Sequence, residues 1–397
     1  MNDAVIPAQS THPHVLGAVL AMSLCAFALV SSEFMPVSLL TPIADELSLT
    51  EGQAGQAISI SGIFAVVTSL FTASATRNVD RKTLLLTLTG LMIVSGGIVA
   101  FAPNYPILMV GRALLGVAIG GCWSMSTAVM MRIAPPAFVP KALALLQGGS
   151  ALATAVAAPM GSMLGGLIGW RGAFFCVVPL ATVALAWQAF TLPAMPADRS
   201  SAGNASVFRL LLNPKISLGM TAVALMFMGQ FSLFTYLRPF LETVTHVTVT
   251  QLSLLLLVLG MGGLVGTSLI GGVLTKSVYR VLIVIPLLMA FIAAGLVVFG
   301  SGIWACAALL TAWGLIAISA PVGWFTWLST TLPKDAEAGG GLMVAVIQLA
   351  ITLGATAGGL LYDGIGYAAT FYGSAALLLA ASLLTVAVSR TAPPGSN

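Results

Sequence analysis

Apolar residues run through this chain in long blocks, without the strict alternation of a half-buried strand and without a narrow one-sided stripe. Read in windows of about 19 residues, the blocks resolve into twelve spans: 15–40, 54–75, 83–102, 106–131, 142–168, 173–192, 216–241, 250–274, 279–299, 303–330, 339–361 and 369–389. An α-helix needs roughly 20 apolar residues to cross the hydrocarbon core of a bilayer. Spanning β-strands would show short alternating segments instead. Turn-rich pieces such as "APNYP" (102–106), "APPAFVP" (134–140) and "LPKDAEA" (332–338) separate the spans. The longest polar stretch, 193–214, divides six spans from six. The pattern predicts an all-α integral membrane protein of twelve transmembrane helices. Its N-terminal six-helix bundle covers 1–192, a linker covers 193–215, and a C-terminal six-helix bundle covers 216–397.

Composition sharpens this picture by exclusion. The 397 residues are 58% hydrophobic and 7% charged, with mean hydropathy +1.05. Soluble domains carry about a quarter charged residues, so a solvated globule is excluded. The four cysteines, Cys25, Cys122, Cys176 and Cys306, sit within apolar runs, and the three histidines lie in the N-terminal tail or at a helix end. No disulfide framework, metal site or cofactor is expected. The net charge of +4 is scattered over loops, which predicts no nucleic-acid partner. No Lys or Arg precedes the first apolar run, so that run reads as a retained helix rather than a signal peptide.

Charge also sets the orientation. With a cytoplasmic N-terminus, 12 Lys and Arg fall on the inner side, and only Arg112, Arg171 and Arg238 on or near the outer side. Basic loops stay cytoplasmic, so both termini are expected inside.

The halves echo one another. "TRNVDR" (76–81) matches "TKSVYR" (275–280) at an offset of 199, and "IGWRGAFF" (168–175) matches "IGYAATFY" (365–372) at 197. "EFMP" (33–36) and "YLRP" (236–239) share a proline at an offset of 203, and Gln147 and Gln348 correspond at 201. A duplication of this kind predicts two pseudo-symmetric bundles with a site between them near the bilayer midplane.

Glu33 is the one acid placed well inside a span. Such a carboxylate is unfavourable by a few kcal/mol unless it faces a cavity or a partner, and is a functional candidate by default. The bland reading puts it at headgroup level. Counted from the span ends, Glu33 and Arg112 both lie roughly 10 Å below the outer edge. The two are therefore expected to communicate, directly or through water, with Glu33 loading and releasing a proton. On helix 4, Arg112, Gly116, Gly120, Trp123 and Thr127 share one face within about 80°. The glycines there are read mainly as helix-packing residues. Pro36, Pro159, Pro239 and Pro321 are expected to kink their helices.

Several motifs resemble the major facilitator superfamily, drug/proton-antiporter type. "GRALLGVAIGG" (111–121) is similar to its fourth-helix motif. "AAPMGSMLGG" (157–166) resembles its fifth-helix antiporter motif, with Ala158 where a glycine usually stands, and "GWRGAFF" (169–175) follows. The loop between spans 2 and 3 departs from the family pattern: Thr72 and Thr76 replace its first glycine and aspartate, and Val79 its second glycine, while Arg77, Arg81 and Lys82 remain. Within the family, "EFMPVSLLTPIADELSLTEGQAGQ", "GQFSLFTYLRPFLE", "PVGWFTWLSTTL" and "VAVIQLA" resemble the purine ribonucleoside efflux branch. The Glu33-to-Pro36 pattern is shared with sugar exporters.

The resemblance implies a monomeric, proton-coupled exporter in the inner membrane of a bacterium, taking a small molecule and protons as partners. A nucleoside needs aromatic faces for its base and amides or hydroxyls for base edges and ribose. The intramembrane candidates are Gln230 and Tyr236 on helix 7, Trp324 and Thr326 on helix 10, Gln147 and Gln348 on helices 5 and 11, and Trp123 on helix 4. Sugars or hydrophobic drugs are the alternative cargo. A membrane enzyme is disfavoured because no nucleophile–base or metal constellation is visible, and no nucleotide-binding loop is present.

Overall fold

The computed structural model describes residues 13–75, 79–136, 138–196, 207–275, 277–332 and 336–390. Its helices are α1 (Pro13–Leu47), α2 (Glu51–Ala75), α3 (Arg81–Ala100), α4 (Tyr105–Ile133), α5 (Val139–Phe175), α6 (Val177–Thr191), α7 (Val207–Leu210), α8 (Pro214–Thr235), α9 (Leu237–Thr243), α10 (Val249–Leu274), α11 (Val278–Phe299), α12 (Ile303–Ala317), α13 (Ala320–Thr331), α14 (Ala336–Gly364) and α15 (Tyr367–Arg390).

Eleven apolar helical runs are long enough to cross a membrane, and one of them, Lys141–Thr191, is 51 residues long. At 1.5 Å per residue such a run measures about 75 Å, more than twice a bilayer core. It is two passes joined at Gly169, where φ 75° and ψ 165° leave the helix. The matching glycine of the second repeat, Gly366, also has a positive φ, 115°, and it separates α14 from α15. Both turns need a residue without a Cβ. The duplication seen in the sequence is thus repeated in backbone geometry, and the passes among the described residues number twelve.

Prolines divide some passes and not others. The seventh pass breaks at Tyr236, between α8 and α9 and three residues before Pro239; the tenth breaks at Ile318–Ser319, just before Pro321. Pro36 and Pro159 instead lie inside helices that continue past them. The first pass also runs on to Leu47 rather than ending near residue 40, so Glu33 lies 14 residues from its end. The polar tail "TPIADEL" reads as loop by hydropathy, but Pro42 is accommodated within α1 by a tertiary contact described below.

Polar side chains close the helix ends. Asp80 accepts the Thr83 N–H at 3.1 Å, capping α3, and its other oxygen accepts the Met195 N–H at 2.8 Å. Arg132 donates to the Pro196 carbonyl at 3.1 Å. The chain leaving α6 is thereby tied to the N-terminal bundle. Residues 76–78 of the loop between α2 and α3, with Thr76 and Arg77, lie outside the described residues, as do 197–206 of the linker.

Two buried apolar cores occupy the two bundles. Large apolar side chains remain exposed around the outside, Phe190 at 90% and Trp304 at 85% among them, as a lipid-facing surface requires. Within the N-terminal bundle α4 lies close on α2. A Cβ at Gly116 or Gly120 would sit 2.2 Å from the carbonyl oxygen of Ser61 or Ala65. Gly116→Val should therefore weaken the fold by about 1–3 kcal/mol, the usual effect of overpacking. Thermal aggregation in detergent measures it, and an unchanged transition temperature would contradict this close approach.

Candidate functional site

The loops 48–50, 101–104, 244–248, 300–302 and 365–366 lie at one end of the bundle, called distal here; the linker and both ends of the described chain lie at the other, proximal end. The site sits between them, where α1 carries Glu33.

Pro36 sets the local backbone. It has no N–H for the Ser32 carbonyl four residues earlier. Arg112, fully buried on α4, supplies the missing donor: its Nη1 lies 2.7 Å from Ser32 O. Its Nη2 donates to Glu33 O at 3.1 Å and to Ser61 Oγ at 3.2 Å, and its Nε to Ala57 O at 2.8 Å. The guanidinium thus joins α4 to α1 and α2. Of the two routes expected between Arg112 and the Glu33 carboxylate, direct or through water, the direct one is not made among the described residues; Arg112 binds the backbone at Ser32, where the proline has left an acceptor, and the adjoining Glu33 O.

The carboxylate points elsewhere. Glu33 is 4% exposed, and its Oε1 accepts from Nε2 of Gln348 on α14 at 3.1 Å. This bond crosses from one bundle to the other. Phe34 stacks on Phe231 of α8 across the same seam, with ring centroids 5.5 Å apart. Gln230, beside Phe231, is 9% exposed, and its Oε1 and the Gln348 Oε1 have no hydrogen-bond partner among the described residues. Buried amides seldom go unpaired, so these two oxygens are available to a polar ligand.

Distal to Glu33 the seam is shut. Thr352 donates to Ser59 O at 3.4 Å, Ser59 to Thr352 O at 3.3 Å, and Thr356 to Ser59 Oγ at 2.9 Å. At the end of the seam Asp363 accepts the Gly52 N–H at 2.9 Å and the Thr50 hydroxyl at 2.6 Å. Its carboxylate therefore sits at the N-terminus of α2, where the helix dipole favours negative charge. Ser253 of α10 donates to Ser162 of α5 at 2.9 Å, and Arg238 donates to the Ser38 carbonyl. Between described residues, no hydrogen bond joins the bundles proximal to the Glu33–Gln348 pair. Gly148 of α5, Gly271 and Gly272 of α10 and Gly341 of α14 are exposed there with nothing near their Cα hydrogens. Among the described residues the seam is closed distally and open proximally.

The other candidates take varied places. Tyr236 is fully buried at the break between α8 and α9, stacks on Tyr362 at 5.3 Å, and donates to Ala355 O at 2.8 Å. A Cβ at Gly55 or Gly359 would lie 2.2 or 2.4 Å from its hydroxyl oxygen. Tyr236 thus fills the closed seam between α2 and α14. Trp324 is fully buried in the C-terminal bundle, its indole N–H on Met226 Sδ at 3.3 Å and its ring edge-on to Trp327. Thr326 donates to Val322 of its own helix at 2.7 Å. Gln147 is exposed on the proximal half of α5, unlike its buried counterpart Gln348. Trp123 is half-buried beside a small cavity lined also by Met22, Cys25, Leu29 and Ser126.

The ladder of Ser59, Thr352 and Thr356 and the Asp363 cap were not foreseen. A signal for them exists: "EGQAGQAIS" and "ITLGATAGG" concentrate small and hydroxyl residues, the composition of a close helix–helix face in a membrane.

The sequence profile of the Major Facilitator Superfamily matches residues 22–340. The chain belongs to this superfamily. Among its curated relatives, the "Transcription regulatory protein OpdE" of Pseudomonas aeruginosa is 59% identical over 379 residues, covering 95% of this chain and 94% of the relative. The "Purine ribonucleoside efflux pump NepI" of Salmonella typhimurium is 39% identical over 376 residues, with 95% and 94% covered. Among solved structures, a bacterial homologue of the human lysosomal transporter Spinster, inward-facing and unoccupied, superposes with TM-score 0.72 at 15% identity, covering 96% of each chain. The nucleoside transporter NupG superposes with TM-score 0.74 at 12% identity, covering 94% and 99%. As a major facilitator the chain is a multi-pass membrane transporter of small molecules, built with the superfamily's two six-helix bundles.

Proposed function

We propose that this transporter exports purine ribonucleosides in exchange for protons across the bacterial inner membrane, with both termini cytoplasmic. The observation that carries the reading is the Glu33 carboxylate. It is buried in the seam and bonded to an amide of the opposite bundle. A group so placed senses both the separation of the bundles and the arrival of a ligand competing for the same amide.

The rest of the cycle follows from the closed distal and open proximal seam. A nucleoside enters from the cytoplasm and meets a site without a second exposed charge. Gln230 and Gln348 offer amides to the edges of the base and to ribose, and Phe34 and Phe231 offer flat faces for the ring. Trp123 and Gln147 line the approach. Binding displaces Gln348 from Glu33, the bundles 1–192 and 216–397 rock about the 193–215 linker, and the distal ladder opens. Glu33 then takes a proton from the outside and gives it up inside on return. Tyr236 acts in closing the seam, while Trp324 and Thr326 stiffen the C-terminal bundle behind the site. The chain acts as a monomer, and no covalent bond is made or broken.

Purified protein in liposomes tests this. An imposed proton gradient should drive inosine flux at least about tenfold faster than flux of a pyrimidine nucleoside or a sugar, a discrimination of about 1.4 kcal/mol. Faster sugar flux would move the cargo to sugars, and gradient-independent inosine flux would remove the coupling.

The name of the Pseudomonas relative favours a second reading, a membrane sensor of gene expression. An exporter can produce the same outcome by lowering the internal concentration of an effector molecule. Failure of any solute to move in liposomes would favour the sensor.

A further inference from the structure

Three prolines of the N-terminal bundle lie within unbroken helices, Pro36 and Pro42 in α1 and Pro159 in α5. Each leaves the carbonyl four residues earlier without its helical donor. These are Ser32, Ser38 and Ala155. In a bilayer such an acceptor has to be satisfied by another part of the protein or by a wet cleft.

The three carbonyls are met differently. Ser32 O receives Arg112 of the same bundle, a fixed arrangement. Ala155 O packs on Gly260 of α10, where a Cβ would come within 2.1 Å. Ser38 O receives Nη1 of Arg238, from α9 of the opposite bundle. Arg238 is 5% exposed and is also held by Glu242, one turn along its own helix, with Nε to Oε1 at 2.8 Å.

We infer that Arg238 and the carbonyl freed by Pro42 form the latch that holds the distal seam closed, so that Arg238 is a positioning residue of the transport cycle. The ion pair with Glu242 lies within one helix and travels with it. The bond to Ser38 joins the two bundles and exists only while they are together distally. At this contact opening breaks one hydrogen bond, strands no charge, and leaves Ser38 O facing the widening cleft. Pro42 favours the device: an ordinary residue there would bond Ser38 O from within α1 and compete with Arg238 for its lone pairs. The inference rests on the alternating-access part of the reading above and is independent of the cargo.

The test is peptide-resolved maleimide labelling of Ser162→Cys in full-length protein in lipid nanodiscs, where both faces are open to reagent. Ser162 is fully buried in the distal seam and bonded to Ser253 of α10, not to Arg238 or Ser38. A hydrogen bond to a charged group shifts an equilibrium enough that Arg238→Ala and Pro42→Ala should each raise the labelling rate about tenfold. Glu242→Gln, which spares the latch, should change it less than about twofold. A control cysteine at Ser95, buried wholly inside the N-terminal bundle, should stay unlabelled throughout. If Arg238→Ala does not accumulate in membranes, Pro42→Ala, which restores a helix-forming residue, decides alone. Unchanged labelling of Ser162→Cys in Pro42→Ala overturns the latch. So does an equal rise in Glu242→Gln or a parallel rise at the control. Inosine flux in liposomes is read separately, so failure of the cargo assignment leaves this result standing.

Discussion

Glu33→Gln should abolish gradient-driven transport while sparing exchange of substrate down its own gradient. Glutamine has nearly the shape of glutamic acid and can still meet Gln348, which lies 3.1 Å from Glu33 Oε1. What it loses is the ability to carry a proton between the two faces. Flux driven by an imposed proton gradient should fall at least about 100-fold, to the leak of the vesicles, since transition-state differences of a few kcal/mol translate into factors of that size. Counterflow, in which labelled substrate enters preloaded vesicles without a gradient, should stay within about threefold of the parent. Because the substitution alters coupling and not the seam, the two assays must diverge. An unaltered pH dependence in Glu33→Gln would refute the proton role, and equal loss of both activities would reassign Glu33 to substrate binding.

The second large effect is on stability. Arg112→Ala should prevent accumulation of folded protein, because the side chain is fully buried and donates to four acceptors on two neighbouring helices. Ser32 O is the most vulnerable of them, since Pro36 cannot replace the lost donor. Removing one partner of a buried charged network is unfavourable by about 3–5 kcal/mol, a large share of the stability of a typical domain. Arg112→Lys retains the charge, but a compact ammonium has three donors and no planar fork, so it should recover part of the lost thermal stability. Transition temperature and yield in mild detergent measure both. If Arg112→Ala folds with a parental transition temperature and fails only in proton-driven flux, the guanidinium acts on the carboxylate and not on the backbone.

These expectations show which parts of the molecule could be seen in advance. Twelve passes, two bundles and the repeat are legible because hydrophobic length and order are local properties, and the glycines at 169 and 366 mark the same turn twice. The end of the first pass is not legible, because α1 continues through Pro42, and the carbonyl that Pro42 frees is met by Arg238, 196 positions beyond the proline. Glu33, Gln230 and Gln348 stand out as polar residues in apolar surroundings. That Glu33 meets Gln348 follows from the assembly of the two halves, which no local pattern records. Trp324 and Trp123 show the limit from the other side: residue type marks both as ligand candidates, yet the first is wholly enclosed and the second borders a cavity. Counting Arg112 and Arg238 as outer charges was likewise a matter of depth. Both are buried, which leaves Arg171, paired with Glu46, as the partly exposed member of the outer three.

The seventh pass breaks at Tyr236, whereas its duplicate, the first, is one continuous helix. A straight rod transmits a push from one end to the other; a jointed rod absorbs part of it. The first pass is in this sense the stiffer of the two. The tip Leu237–Thr243 is the jointed one, set off from the body that carries it by the break at Tyr236.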